Sequence, residues 1–314
     1  TLRDNNVSYT NRCRTLINIT FKNTIMKKLL LTSLLFISVI SFGQVPSYVP
    51  TSSLVGWWDF NGNALDESGN GNNGTVNGPV LTDDRFGNSN SAYEFTVNGS
   101  AGWGSDQQSI VVSNPTIPND NSFTMSSWVY LNSKPSPYDD RPHTIMGRYN
   151  VGGAPVFRNT IAYTGEVSTL LTEGTTETSH ISTANIGYGN WNHIAITYDG
   201  QTLSQFINGI LINSLNIGVI INSSTSDLTF GKLHVSNGYW YFFSGKMDEL
   251  GYWSDALDSC AIKDLYNGSL GNCCASAPIT SQPTDQTVNI SNNASIDFSD
   301  SLTAATYQWQ MDAG

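Results

Sequence analysis

From Leu54 onward the sequence sets short apolar runs between clusters of Gly, Asn, Asp and Ser, and this rhythm admits few folds. LVGWWDF (54–60), SIVVS (109–113), FTMSSWVYL (123–131), WNHIAITYD (191–199), DLTF (227–230) and YFFSGKMDELGYW (241–253) are the runs. In FTMSSWVYL, Phe123, Met125, Val129 and Leu131 share one face at period 2, while Trp128 and Tyr130 take the other. A strand apolar on both faces is covered on both, or has one face in a groove. Asn208-Gly209 between two strand-like runs is the type I′ hairpin signature, because both central residues need φ > 0. Only Cys260–Tyr266 reads as a helix, with Asp258 or Ser259 as its cap and Gly268 as its stop. Many short strands, tight turns and so little helix predict an all-β chain built as an antiparallel β-sandwich.

The composition agrees. Of 314 residues, 39% are hydrophobic, enough for a sizeable core, and only 12% are charged. The formal net charge of −11 disfavours nucleic acid and an anionic membrane as partners. Residues 1–43 carry six of the 14 basic residues and one of the 25 acidic ones, so the remainder keeps 8 basic and 24 acidic residues, a net of −16.

Those first residues read as an export signal. Met26 is followed by Lys27 and Lys28, an apolar run from Leu29 to Ile40, and small residues at Ser41 and Gly43. The run is short for a membrane span. The expectation is a signal peptide over 26–43, cleavage before Gln44, non-native upstream translation over 1–25, and a secreted or cell-surface protein with no membrane span in the mature chain. Past Gly43 the cysteines are Cys260, Cys273 and Cys274, with no Cys-x-x-Cys pair to hold zinc. A Cys260–Cys273 disulfide would close a short loop and contribute about 3 kcal/mol in the chain-entropy model. Cys273–Cys274 is a strained alternative, and one thiol is left over.

The run GWWDFNGNALDESGNGNNGTVNG (56–78), with FTMSSWVY, WNHIAITYDGQTLSQFINGILINSL (191–215) and FSGKMDELGYWSDALDSCAIKDLYNG (243–268), resembles a laminin-G-like, concanavalin-A-like jelly-roll domain of the bacterial secreted type. The resemblance covers 50–270. After a linker at 271–278, residues 279–314 resemble the first strands of a bacterial immunoglobulin-like domain, with Trp309 on its strand C. Asp297-Phe298-Ser299 stands where such a domain carries its strand B cysteine.

Gly69 to Gly74 spells GxGxxG, but Thr75-Val76-Asn77-Gly78 cannot start the helix a dinucleotide site needs, so it reads as a turn. The same stretch is rich in hard oxygen donors: Asp59, Asn61, Asn63, Asp66, Ser68, Asn70 and Asn72. Solvated turn residues would look the same. The family resemblance implies one structural calcium ion in such a loop, with Asp66 and Asp248 as first ligands and Asp59 and the carbonyl of Asn72 beside them.

Catalysis has little support. Glycoside hydrolysis needs two carboxyl groups about 5–5.5 or 6.5–9.5 Å apart, and the Glu-x-Asp-x-Glu pattern of concanavalin-A-like glucanases is missing. Asp248 and Glu249 are neighbours, predicted to point to opposite faces of a strand. His143, His180, His193 and His234 are isolated, and no Gly-x-Ser-x-Gly occurs. Sugar binding would use flat aromatics and short polar side chains. Trp103, Tyr138, Tyr239 and Trp240 lie off the core pattern, and Arg141 or Arg148 would reach a hydroxyl or carboxylate. Trp57, Trp58, Trp128, Trp191 and Trp253 read as core. The expected function is an extracellular, non-catalytic recognition or adhesion module for a glycan or an extracellular protein. The rival readings are a glycoside hydrolase of the same fold, which a carboxylate pair facing one groove would favour, and a structural spacer.

Overall fold

The computed structural model describes residues 44–96, 108–117, 121–132, 142–149, 155–221, 224–234 and 240–271. The signal-like segment, the immunoglobulin-like stretch, Trp103, Tyr138, Tyr239 and Cys273 lie outside the described residues, as does the side chain of Trp240.

The strands run in chain order as β1 (Leu54–Trp58), β2 (Gly74–Asn77), β3 (Val80–Thr82), β4 (Ala92–Phe95), β5 (Ser109–Val112), β6 (Phe123–Leu131), β7 (His143–Tyr149), β8 (Pro155–Ile161), β9 (Glu166–Glu173), β10 (Thr176–Asn185), β11 (Trp191–Tyr198), β12 (Thr202–Ile207), β13 (Ile210–Asn216), β14 (Leu228–Phe230), β15 (Lys232–His234), β16 (Trp240–Phe242) and β17 (Gly245–Trp253), followed by helix α1 (Ser259–Asn267). One sheet has the order β13-β12-β11-β6-β17-β4-β3, with β1 also paired to β17. The second has the order β10-β9-β8-β7-β14-β5-β2, and β15 and β16 form a small ribbon. Every pairing is antiparallel.

Both sheets give their inner faces to one core. Phe123, Met125, Val129 and Leu131 of β6 enter it as the period-2 pattern predicts, alongside Ile194, Ile196 and Tyr198 of β11. Ile110, Val112, Phe157, Ile161, Leu228 and Phe230 come from the second sheet. Phe123 and Tyr252 stack on Phe157 across the layers, with centroids 5.6 and 5.8 Å away. Burying rings of this size contributes about 1.5–3 kcal/mol each. At one side Gln205 of β12 donates to Thr169 Oγ1 at 3.2 Å and to the carbonyl of His180 at 3.2 Å, joining the sheets through a polar tie.

The β12–β13 hairpin turns at Asn208 (φ 51°) and Gly209 (φ 72°), both left-handed as the dipeptide requires. Helix α1 starts on Asp258, whose side chain accepts a hydrogen bond from Ala261 N, and stops at Gly268 in the left-handed region. It packs on the outer face of the first sheet. There a second cluster joins Ile262 and Leu265 of α1 to Trp57, Ala195, Phe206 and Trp253 of the strands and to Val49.

Candidate functional site

Beyond α1, the outer face of the first sheet turns polar and aromatic. His193, Trp128 and Asp248 lie side by side there on β11, β6 and β17. In the next row stand Trp191, Tyr130, Lys246 and Glu94.

The layout depends on a bulge in β17. Asp248 pairs with Trp128 and Gly251 with Ser126, so β17 spends one residue more than β6 across this step. Glu249 takes the extra place with φ 47°. Without the bulge, Asp248 and Glu249 would face opposite ways, which was the expectation from sequence. With it, both carboxylates meet Arg85. Arg85 Nη1 donates to Asp248 Oδ2 at 3.1 Å, and Nη2 donates to both Glu249 oxygens at 3.0 Å. The side chains are nearly closed to water, at 9% for Arg85, 4% for Asp248 and 16% for Glu249. Tyr48 adds a hydrogen bond to Glu249 Oε1 at 3.2 Å.

Arg85 reaches this place from the β3–β4 loop. Asp84 fixes that loop by accepting hydrogen bonds from the backbone N–H of Phe86 and Asn88, both at 2.8 Å. The guanidinium carbon lies 4.4 Å from the centroid of Phe86 and 4.5 Å from that of Trp128. Trp128 stacks in turn on Tyr266 of α1, centroids 5.6 Å apart and planes 23° apart. These residues, with Trp191 and Asn267, line an open recess of about 370 Å³. Phe86 is 73% exposed at its edge.

Burial dominates the titration here. Asp248 is pushed up to about 8 by burial and by the charge of Glu249, with Arg85 opposing. Glu249 is also raised by burial, against the pull of Arg85. Burial, then the Glu249 charge, raises Tyr48. His193 is fully enclosed and falls to about 3, first from desolvation and then from Arg85. Its Nε2 shares a hydrogen bond of 2.8 Å with Ser126 Oγ, and it occupies a sheet position as the sequence suggested.

The metal expectation meets a different geometry. The Asp66 carboxylate accepts three backbone N–H groups: Trp57 at 3.1 Å and Ser68 at 2.9 Å on Oδ1, and Asn72 at 2.9 Å on Oδ2. The Asn72 carbonyl accepts from Trp58 Nε1 at 2.9 Å. Both oxygens of Asp59 accept from Asn61, and Asp248 accepts from Arg85 on Oδ2, with Oδ1 buried and without a hydrogen-bond partner. Asp66 and Asn72 are thus together, but donors converge on them as around an anion. The carboxylates of Asp66 and Asp59 thus spend their oxygens on N–H donors, whereas a calcium cage needs oxygens free to face the ion. Among the described residues no group of three His, Cys, Asp or Glu side chains is placed to hold a metal ion. The Gly69–Gly74 stretch is a turn, with Gly69 and Gly71 at positive φ and β2 starting at Gly74.

Arg148 is a further correction. It is fully buried, and its guanidinium donates to the carbonyls of Ser224 and Ser226, tying that loop to β7 instead of facing a ligand. Trp57, Trp58 and Trp253 are core as expected. Trp128 is buried as expected and also backs the recess, whereas Trp191, likewise read as core, is half-buried and lines it. Sequence reasoning missed this site. The available signal was the second apolar face of FTMSSWVYL, which allowed a groove.

A family model described as the concanavalin A-like lectin/glucanases superfamily matches residues 104–263. Among solved structures, the binding domain of Paraclostridial Mosquitocidal Protein 1 is similar at 20% identity and a TM-score of 0.54, covering 69% of this chain and 52% of that one. The binding domain of Botulinum neurotoxin DC, solved in complex with rat synaptotagmin II, is similar at 18% identity and a TM-score of 0.53, with the same coverage. The same toxin domain in complex with SialylT gives 18% identity, a TM-score of 0.51, and coverage of 70% and 52%. The chain spans about half the length of these domains, and at such identity the likeness is one of fold. No curated protein matches the chain.

Proposed function

This chain belongs to the concanavalin A-like lectin/glucanases superfamily, and on that premise we propose that it is an extracellular, non-catalytic recognition module that seats a glycan in the recess between Arg85, Phe86, Trp128, Trp191, Tyr266 and Asn267. The observation that carries the reading is the recess itself: several aromatic side chains and a flat guanidinium around an open cavity. Aromatic faces take the apolar side of a sugar ring, and short polar groups such as Asn267 take its hydroxyls. The export-like segment before Gln44 supports an extracellular setting. The solved structures named above are binding domains, and two were solved in complex with rat synaptotagmin II and with SialylT.

The rival with an observation behind it is a glycoside hydrolase, because the bulge does bring two carboxylates together. Arg85 weighs against it. A carboxyl held by a guanidinium and enclosed by protein is poorly placed to attack a sugar or to protonate a leaving group. A panel of polysaccharides tested by calorimetry, with reducing-end release measured in parallel, separates the two. Binding without release is expected. Trp191→Ala, at a half-buried position, should weaken binding about tenfold or more, the scale of one large apolar side chain withdrawn from contact. Sugar release abolished by Asp248→Asn or Glu249→Gln would move the assignment to an enzyme.

A further inference from the structure

We infer that the Asp248–Glu249 pair is a charge filter, so that the recess admits a neutral polysaccharide chain and excludes an acidic one. The inference rests on the glycan reading above and deepens it.

A basic residue beside aromatic rings ordinarily invites a carboxylate or sulfate. Here both terminal nitrogens of Arg85 already face carboxylates, at 3.1 and 3.0 Å. An incoming anion would have to share the guanidinium with two carboxyl groups that already hold its terminal nitrogens from behind. It cannot displace them cheaply either. Their side chains are only 4% and 16% exposed, so neither can turn to water, and a carboxylate stripped of its partner in such a place is strongly destabilising. His193, below the recess, is held neutral by its enclosure and offers no second positive charge. Lys246 faces the ring of Tyr130 at 5.8 Å, in the row beyond Trp128. The chain as a whole adds long-range repulsion of anions through its net charge of −11. What the recess does offer is uncharged: Trp191, Tyr266 and the exposed Phe86, with Trp128 buried as the backing between Arg85 and Tyr266.

The test uses the full chain with laminarin and galactomannan as neutral probes and alginate and polygalacturonate as acidic ones, each at low and high salt. Expected are binding of at least one neutral probe that is indifferent to salt and lost in Trp191→Ala, and acidic probes at least about tenfold weaker even at low salt. Acidic probes that bind as tightly as the neutral ones, and release with salt, would overturn the filter and leave the glycan reading standing. Failure of all four probes would overturn the glycan reading and the filter together. The double variant Asp248→Asn/Glu249→Gln leaves Arg85 uncompensated, so it should gain salt-sensitive alginate binding while keeping the neutral probe. A folded double variant that still excludes alginate would also overturn the filter. Where the double variant does not fold, Glu249→Gln alone, at the more exposed of the two positions, carries the same comparison.

Discussion

Two buried titratable residues of the outer face should set the acid and alkaline limits of stability. His193 has a folded value near 3, below its ordinary 6.5, so the folded protein favours its neutral form. Its contribution is intact above about 6.5 and is lost as the pH falls toward 3, with a slope approaching about 1.4 kcal/mol per pH unit. His193→Gln should flatten the fall in melting temperature measured between pH 6 and 4. Asp248 is shifted the other way, to about 8 from an ordinary 3.8, so the folded protein favours its protonated form. That contribution is complete below 3.8 and is lost as the pH rises through about 8. Melting temperature should therefore decline from pH 6 to 9, and Asp248→Asn should remove much of the decline. A decline that persists in a folded Asp248→Asn protein would show that other groups cause it. At this scale the sequence was least legible. Arg148 and Arg85 are both arginines near aromatics and turns, yet one is enclosed by carbonyls and the other lines the recess. Which neighbours arrive is decided by pairing partners tens of residues away.

The elements were far more readable, because their signals are local. The helix and its caps, the Asn208-Gly209 hairpin and the inner face of β6 all follow from periodicity and turn chemistry. The β17 bulge does not, since Asp-Glu-Leu-Gly carries no sign that Glu249 will adopt a positive φ. Asn208 also accepts a hydrogen bond from His193 N at 2.9 Å, so Asn208→Ala should cost about 1–2 kcal/mol by denaturant titration, through both the lost bond and the strained turn. Gly245 opens β17 at φ 147° between β4 and β6, and an added Cβ would stand 1.9 Å from the carbonyl oxygen of Tyr130. Gly245→Ala should therefore cost about 3 kcal/mol or more, as a backbone-against-backbone clash that no rotamer relieves. The Asp66 loop closes on its own donors, so a chelator should leave the melting temperature unchanged, whereas Asp66→Ala should lower it by orphaning three N–H groups. A drop on chelation, reversed by calcium, would restore the metal expectation.

Across the whole molecule, the sandwich class was legible because alternation and turn spacing recur from Leu54 onward, and the family through the resemblance of a few ordered sequence runs. The covering of the outer face was not, since it joins residues far apart in sequence. Residues 44–50 cross that face: Val49 is buried against it, and Trp253 Nε1 donates to the Pro50 carbonyl at 2.7 Å. Deleting 44–50 should cost about 3 kcal/mol or more by thermal or urea unfolding, from the lost apolar contact and the orphaned indole. It should also loosen Glu249 by removing Tyr48. The position of β17 has a consequence in time. Among the described strands it is the last in chain order, yet it pairs with β1, β4 and β6. Until it emerges, β1 lacks its partner and β4 and β6 have a gap between them. The first sheet therefore cannot form progressively from its N-terminal side. This sheet must stay open until β17 is available, and then close through contacts that span about two hundred residues, a topology that folds slowly. Whatever path the growing chain takes, it travels as an unclosed sheet until β17 arrives to join both halves.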